Sequence, residues 1–176
     1  KALIDIAGKP FIIRQLDYLF SEGIKHIVIC AGHFGQQIED LIGSGNKFNL
    51  KINYSYDGQE LLGTGGAIKK ALPFLGKDFF ILYGDSFLPV KYNLIENAFY
   101  ETKKTALMTI FKNIGKWDTS NVSLQKNIVV YDKKNPKPNM MFIDYGLSVV
   151  NNSIFDLYPK DKNFDLGDIY HQLSLK

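Results

Sequence analysis

The chain of 176 residues carries 45% hydrophobic, 14% aromatic and 22% charged side chains, a length and composition that fit one folded domain and exclude a disordered or collagen-like polymer. Its apolar runs, such as residues 79–83, fall far short of the roughly 20 residues a membrane-crossing helix needs, which argues against membrane insertion. The formal charge is only +3, Arg14 is the one arginine among 21 cationic residues and Cys30 is the one cysteine; this disfavours nucleic-acid binding, excludes an internal disulfide or a cysteine-rich zinc site, and suits a reducing cytoplasm.

In chain order, Gly8-Lys9-Pro10 followed by Ile12, Ile13, Leu16, Leu19 and Phe20 predicts a helix with Pro10 in its first turn and Gly23 as its stop. The apolar run 26–31 predicts a strand, with Cys30 as a buried filler. Gly32-His33-Phe34-Gly35 turns into a second helix, with Ile38, Leu41 and Ile42 on one face and Gly43-Ser44-Gly45 at its end. Ile52, Tyr54 and Tyr56 alternate as a strand does. After Gly63-Thr64-Gly65-Gly66 a helix is expected to about Leu72, and residues 79–83 read as a strand buried on both faces. This alternation implies an α/β fold around a mostly parallel twisted sheet with right-handed crossovers. Beyond it lie a helix over 93–102, a strand over 106–111, short strands over 122–124 and 128–131, a turn at 135–139 and a strand over 141–150. Antiparallel additions are expected there, and no repeat or linker divides the single domain.

Two features coincide to suggest chemistry. Leu62-Gly63-Thr64-Gly65-Gly66-Ala67-Ile68 stands between a strand and a helix, where glycines admit a ligand to the backbone and the helix start offers N–H groups to an anion. It is neither a Walker A loop nor the dinucleotide fingerprint. Asp85 follows the most apolar strand, in Tyr83-Gly84-Asp85-Ser86, at the strand end where α/β ligands collect. A lone carboxylate there suits Mg2+, which takes one or two protein carboxylates beside phosphate and water. The histidines His26, His33 and His171 show no ligand spacing, and no Gly-x-Ser-x-Gly elbow is present.

Lys1-Ala2-Leu3 with Gly8-Lys9-Pro10, then Leu62-Gly63-Thr64-Gly65-Gly66-Ala67, then Gly84-Asp85, then Ile143-Asp144-Tyr145-Gly146-Leu147 resembles, in that order and over essentially the whole chain, the sugar-phosphate nucleotidyltransferase family. Met108-Thr109, Trp117-Asp118-Thr119-Ser120-Asn121-Val122 and Tyr131-Asp132-Lys133 look like its heptose or mannose branch, in particular the guanylyltransferases of D-glycero-D-manno-heptose 1-phosphate. The resemblance implies a Rossmann-like three-layer fold and a reaction in which a nucleoside triphosphate, GTP favoured, and a sugar 1-phosphate give a nucleotide-sugar and pyrophosphate with Mg2+. It implies Lys1 on phosphate, Gly63, Thr64, Gly65 and the candidate Asp57 on the nucleotide, and Asp85 on Mg2+. It further implies Asp132 and Lys133 as an acid–lysine pair with Lys133 on the sugar phosphate, and Asn121 and Gly146 in the sugar pocket.

The family's Gly-Gly-x-Gly-Thr-Arg signature would precede Lys1, and its Asp-Ile-Gly motif with a second metal aspartate lies downstream. Phe164-Asp165-Leu166-Gly167-Asp168 imitates that motif but reads as a capped helix start. We therefore expect residues 1–176 to be one catalytic domain seen without its amino-terminal glycine-rich loop and its carboxyl-terminal part, capable of forming a homo-oligomer. The competing readings are a glycosyltransferase of related fold and a non-catalytic nucleotide-sugar sensor.

Overall fold

The computed structural model describes residues 1–175. Asp5–Ile6 (β1) and Lys9–Pro10 (β2) pair as a small antiparallel hairpin. Pro10, with φ of −54°, precedes Phe11–Ser21 (α1); its ring presets the helix entry from just outside the first turn. His26–Ala31 (β3) runs parallel to Lys51–Tyr56 (β4), from His26 opposite Lys51 to Ala31 opposite Tyr56, and Gly35–Ile42 (α2) makes the crossover. Gly63–Ala71 (α3), Asp78–Leu82 (β5), Tyr92–Thr102 (α4), Ala106–Lys112 (β6), Val122–Gln125 (β7), Ile128–Tyr131 (β8), Phe142–Asn151 (β9) and Leu166–Ser174 (α5) complete the chain.

The helix–strand alternation of the first half and the antiparallel additions of the second are both present. The sheets are mixed: β3–β4 is the parallel pair among the described residues, and the strands gathered on β9 are antiparallel to it. The cause lies in β9, whose ten residues take β6 along one edge and β5 and then β7 along the other. Paired on both sides, β9 is buried at Leu147, Val149 and Val150, and each such side chain contributes roughly 1.5–3 kcal/mol.

Three apolar clusters hold these elements together. Val150, Phe155, Leu166 and Ile169 centre the largest, beneath α3 and α5. Ile12, Leu16, Ile42 and Ile52 join α1 and α2 to the parallel pair, and Leu88, Tyr92 and Leu147 pack α4 on the opposite region of β9. Two expectations are corrected here. β5 is half-buried along its whole length, because one edge stands open. Cys30 borders the same opening and is not sealed in the core, although the atoms crowding it push its thiol up to about 11 by desolvation.

Candidate active site

Where β5 ends, the chain turns at once: the Ser86 N–H donates to the Tyr83 carbonyl at 3.0 Å. That turn leaves Asp85 at the strand's carboxyl end, where Lys1 Nζ donates to its Oδ2 at 2.9 Å. Both side chains remain open to solvent, at 76% and 48% of full exposure. The Lys1 hydrogen bond holds the Asp85 carboxyl below the usual carboxylate range, against partial burial, and the same bond raises Lys1. Lys1 and Asp85 line one cavity with Gly32, Tyr83 and Gly84; those last three also line the neighbouring cavity, where Asp57, Gly63 and Thr64 lie. The carboxylate and the glycine segment thus meet across a common boundary.

The glycine segment is shaped by its own chain as well as by the cavity. α3 begins inside it, at Gly63, whose φ is +68°, a left-handed value that glycine adopts without steric cost. A Cβ on Gly63 would come within 2.7 Å of the Phe164 carbonyl oxygen, and one on Gly65 would collide with the Phe164 ring. The N–H groups of Gly65 and Gly66 donate to that carbonyl at 3.0 and 3.3 Å, so two of the helix-start donors that the sequence offers to an anion are already occupied. Gly65 is buried and does not line the cavity; Gly63 and Thr64 do. Asp165 is the N-cap of α5, as its motif suggests, accepting from the Gly167 N–H at 2.7 Å. Asp57 accepts from the Leu62 N–H at 3.1 Å and so fixes the approach to α3.

On the other side of Tyr83 lie the residues expected at the sugar phosphate. The Asn121 carbonyl accepts from the Asp132 N–H at 2.9 Å, and Asn121 Oδ1 accepts from the Asp144 N–H at 3.2 Å. Asp144 Oδ1 accepts from the Gly146 N–H at 2.9 Å, and the Gly146 carbonyl accepts from the Tyr83 N–H at 3.1 Å. Gly146 has φ of +87°, and a Cβ there would strike the Ser86 hydroxyl. The structure therefore joins Asn121, Asp132 and Gly146 into one strip of backbone and side-chain bonds. Asp132 also caps its own turn, accepting from the Asn135 N–H at 2.8 Å. Lys133 is exposed but its charge reaches Asp144, whereas Lys134 is turned to Asp168 at 2.5 Å.

Two participants stand in motifs the sequence offers but receive no role of their own there. Asp144 is half-buried on β9, and desolvation raises its carboxyl above the ordinary range despite the Gly146 N–H, Lys133 and the Tyr83 hydroxyl, all of which favour its ionised form. Tyr83 borders both cavities, and its hydroxyl favours the ionised form of Asp144, so it stands between the two halves of the site. An acid inside an apolar strand was the available signal for Asp144; nothing in the spacing marks Tyr83.

The family model described as "Nucleotidyl transferase" matches residues 1–119. A D-glycero-alpha-D-manno-heptose 1-phosphate guanylyltransferase of Campylobacter jejuni is 26% identical over 172 residues, covering 98% of this chain and 76% of that one. An N-acetylmuramate alpha-1-phosphate uridylyltransferase of Neisseria meningitidis is 42% identical over 86 residues, 48% of this chain and 37% of that one. Among solved structures, HddC of Yersinia pseudotuberculosis complexed with GMP-PN has a TM-score of 0.77 at 22% identity, covering 94% of this chain and 73% of that one. The inositol-1-phosphate CTP transferase of T. maritima has a TM-score of 0.77 at 16% identity, with 98% and 71% covered.

Proposed function

The chain belongs to the nucleotidyl transferase family, and on that premise we propose that it transfers a nucleotidyl group from a nucleoside triphosphate to a sugar 1-phosphate of the heptose or mannose type. A phosphate oxygen of the sugar 1-phosphate attacks the α-phosphorus, the bond to the β-phosphate breaks, and pyrophosphate leaves with the electron pair. The observation that carries this reading is the meeting of Lys1 and Asp85, 2.9 Å apart, with the Gly63–Thr64 wall at one strand end. GTP is favoured because two relatives matched over nearly the whole chain are heptose 1-phosphate guanylyltransferases, while a UTP--glucose-1-phosphate uridylyltransferase matched as fully makes UTP the competing triphosphate in the assay.

The residues fit a divalent cation of the Mg2+ kind. Asp85 offers a half-exposed carboxylate at the strand end, and among the described residues no cluster of three or more His, Cys, Asp or Glu forms a complete cage. That donor set suits an ion completed by phosphate and water. When bound, such an ion neutralises charge developing on the phosphates. Lys1 lies beside Asp85 and meets phosphate as a point charge. Gly63 and Thr64, with Asp57 behind them, form the nucleotide wall. Asn121, Asp132, Gly146 and Lys133 receive the sugar phosphate, and Tyr83 joins the two regions. Catalysis is positioning and charge neutralisation, with no covalent nucleophile.

The domain acts in the cytoplasm as part of nucleotide-sugar supply for polysaccharide synthesis, in keeping with a lone unpaired cysteine. No described helix is long and apolar enough to cross a membrane. A pyrophosphate-release assay on the natural polypeptide, with Mg2+, the common triphosphates and a panel of sugar 1-phosphates, tests the reading. Turnover with GTP and a heptose or mannose 1-phosphate is expected; nucleotide-sugar binding with no turnover under any pairing would replace the enzyme by a sensor.

A further inference from the structure

We propose that Gln15 is a positioning residue for Asp85: its side-chain amide grips the Ser86 carbonyl and thereby fixes the turn that presents the carboxylate to the cation. The inference rests on the cation-assisted transfer proposed above, and it adds a residue of α1 to that site.

Gln15 lies in the middle of α1 beside Ile12 and Leu16, and at 6% exposure it is as closed as Ile12. An amide in such company is costly unless it is hydrogen-bonded. Its Nε2 donates to the Ser86 carbonyl at 2.7 Å, across 71 positions of the chain. Phe11, Gln15 and Tyr18 follow one another at spacings of four and three residues, which a helix brings to one face. All three hold the segment after β5. Phe11 and Tyr18 meet the Phe87 ring at centroid distances of 6.3 and 5.6 Å, and the Tyr18 hydroxyl donates to the Val90 carbonyl at 2.9 Å. Gln15 is the member of this stripe that reaches the residue next to Asp85.

Asp85 depends on such an anchor because its own contacts hold it loosely. Its carboxylate pairs with Lys1, and both side chains stand open to solvent, where an ion pair restrains little. A Cβ on the preceding Gly84 would touch nothing within 4 Å, so packing does not fix that side of the turn. The restraint comes from the other side. The Ser86 N–H is bound to the Tyr83 carbonyl at 3.0 Å, the Ser86 carbonyl is bound to Gln15, and the Ser86 hydroxyl crowds the place a Cβ on Gly146 would take. Ser86 is thus seated between α1 and the Gly146 turn of β9.

The two contacts of Ser86 lead to different halves of the site. One runs to the helix and the other to the strip that receives the sugar phosphate, so the Gln15 bond sets how far Asp85 stands from Gly146. Attack on the α-phosphorus requires cation and sugar phosphate in fixed relation, and a misplacement of about 1 Å from a remote change can cost on the order of a hundredfold in rate.

Gln15→Met keeps the side chain's length and removes the donor. Tyr18→Phe, which removes a bond from the same helix to the same segment, is the control. On the natural polypeptide without substrate, 15N relaxation is expected to give order parameters of about 0.85 over residues 84–86 in the unaltered protein and in Tyr18→Phe, falling toward about 0.6 in Gln15→Met. Pyrophosphate release by Gln15→Met is expected to slow by about tenfold to a hundredfold, and its half-saturating Mg2+ to rise by about tenfold, with KM for the triphosphate changed less. Tyr18→Phe should leave these values in place. Unchanged order parameters in Gln15→Met would overturn the proposal, as would an unchanged rate and Mg2+ requirement beside an active unaltered enzyme. Equal losses in the two variants would overturn it too, by reducing Gln15 to a structural tie. Order lost in Gln15→Met while the unaltered protein releases no pyrophosphate with any pairing would uphold the anchor and overturn the reaction instead. If Gln15→Met does not fold, the unaltered protein decides: a slowly exchanging side-chain amide proton on Gln15 upholds the bond, and exchange of both at the rate of an exposed amide overturns it.

Discussion

The Thr64 hydroxyl accepts the Leu166 N–H at 2.8 Å, so a residue in the first turn of α3 satisfies the first amide of α5, over a hundred positions away. The tie is reciprocal, because Phe164 caps Gly65 and Gly66 in return. Thr64→Val is expected to lose about 1 kcal/mol of stability, as removal of a helix-capping hydroxyl does, and Thr64→Ser to recover most of it. Urea unfolding of the three proteins measures this; equal midpoints would leave the hydroxyl without a structural share.

The packing of Gly65 against Phe164 makes a sharper demand. A Cβ at Gly65 would collide with the ring, and forcing atoms into a packed contact costs about 1–3 kcal/mol. Gly65→Ala is expected to lower the melting temperature, and Gly65→Ala with Phe164→Leu to fall short of the sum of the two single losses, since the smaller side chain makes room. Additive losses would show that the collision is relieved elsewhere.

Asp85 is placed to hold charge rather than shape. Its carboxylate pairs with Lys1 and stays half-exposed, so Asp85→Asn is expected to keep the thermal unfolding curve nearly unchanged while slowing pyrophosphate release by about a hundredfold or more. An unaltered rate would return Asp85 to a turn-forming role.

Much of this site is legible in the sequence because its signals are local. A strand followed by Gly84-Asp85 puts a carboxylate at a strand end, and Asp165 two residues before Gly167 reads as a helix cap. The capture of the Gly65 and Gly66 amides by Phe164 was not legible, since it depends on a contact nearly a hundred residues away. The antiparallel additions were expected, but the partner of β5 was hidden for a similar reason. Alternating strands and helices suggest parallel neighbours, but β5 finds its partner in β9, from the antiparallel half of the chain. Cys30 read as core because its neighbours in sequence are apolar; the open edge beside it is a tertiary feature.

The adjacent lysines separate cleanly. Lys134 is bound to Asp168 at 2.5 Å, away from the strip that carries Asn121 and Gly146, whereas the charge of Lys133 acts on Asp144 within it. Lys133→Ala is expected to reduce kcat/KM for the sugar 1-phosphate by about tenfold or more, with a smaller change for the triphosphate. Lys134→Ala, losing an exposed pair, should leave both near the starting values. Equal effects of the two substitutions would remove Lys133 from the substrate.

Asp144 supplies a pH signature of the opposite sign from that of Asp85. Burial raises its folded-state pKa above the ordinary 3.8, so the folded protein binds this proton more tightly than the unfolded chain does. Its contribution to stability is then fully present below that ordinary value and is lost as pH rises through the raised one. Above that range the native state carries a partly desolvated carboxylate, for which the Gly146 N–H, Lys133 and the Tyr83 hydroxyl only partly compensate. An amide keeps an oxygen for the Gly146 N–H and carries no charge. Asp144→Asn is therefore expected to raise the melting temperature at pH 7 relative to the unaltered protein, and to lose that advantage as pH falls toward 3. Asp85, whose carboxyl is lowered by Lys1, behaves in reverse, and because the pair is open to solvent its share is small: it is present above the ordinary value and fades as pH falls through the lowered one, so Asp85→Asn shows little change across the range. Melting curves of Asp144→Asn and Asp85→Asn from pH 3 to 8 separate the two. A difference between Asp144→Asn and the unaltered protein that does not change with pH would show that Asp144 is held by its hydrogen bonds alone, with no charge penalty to relieve.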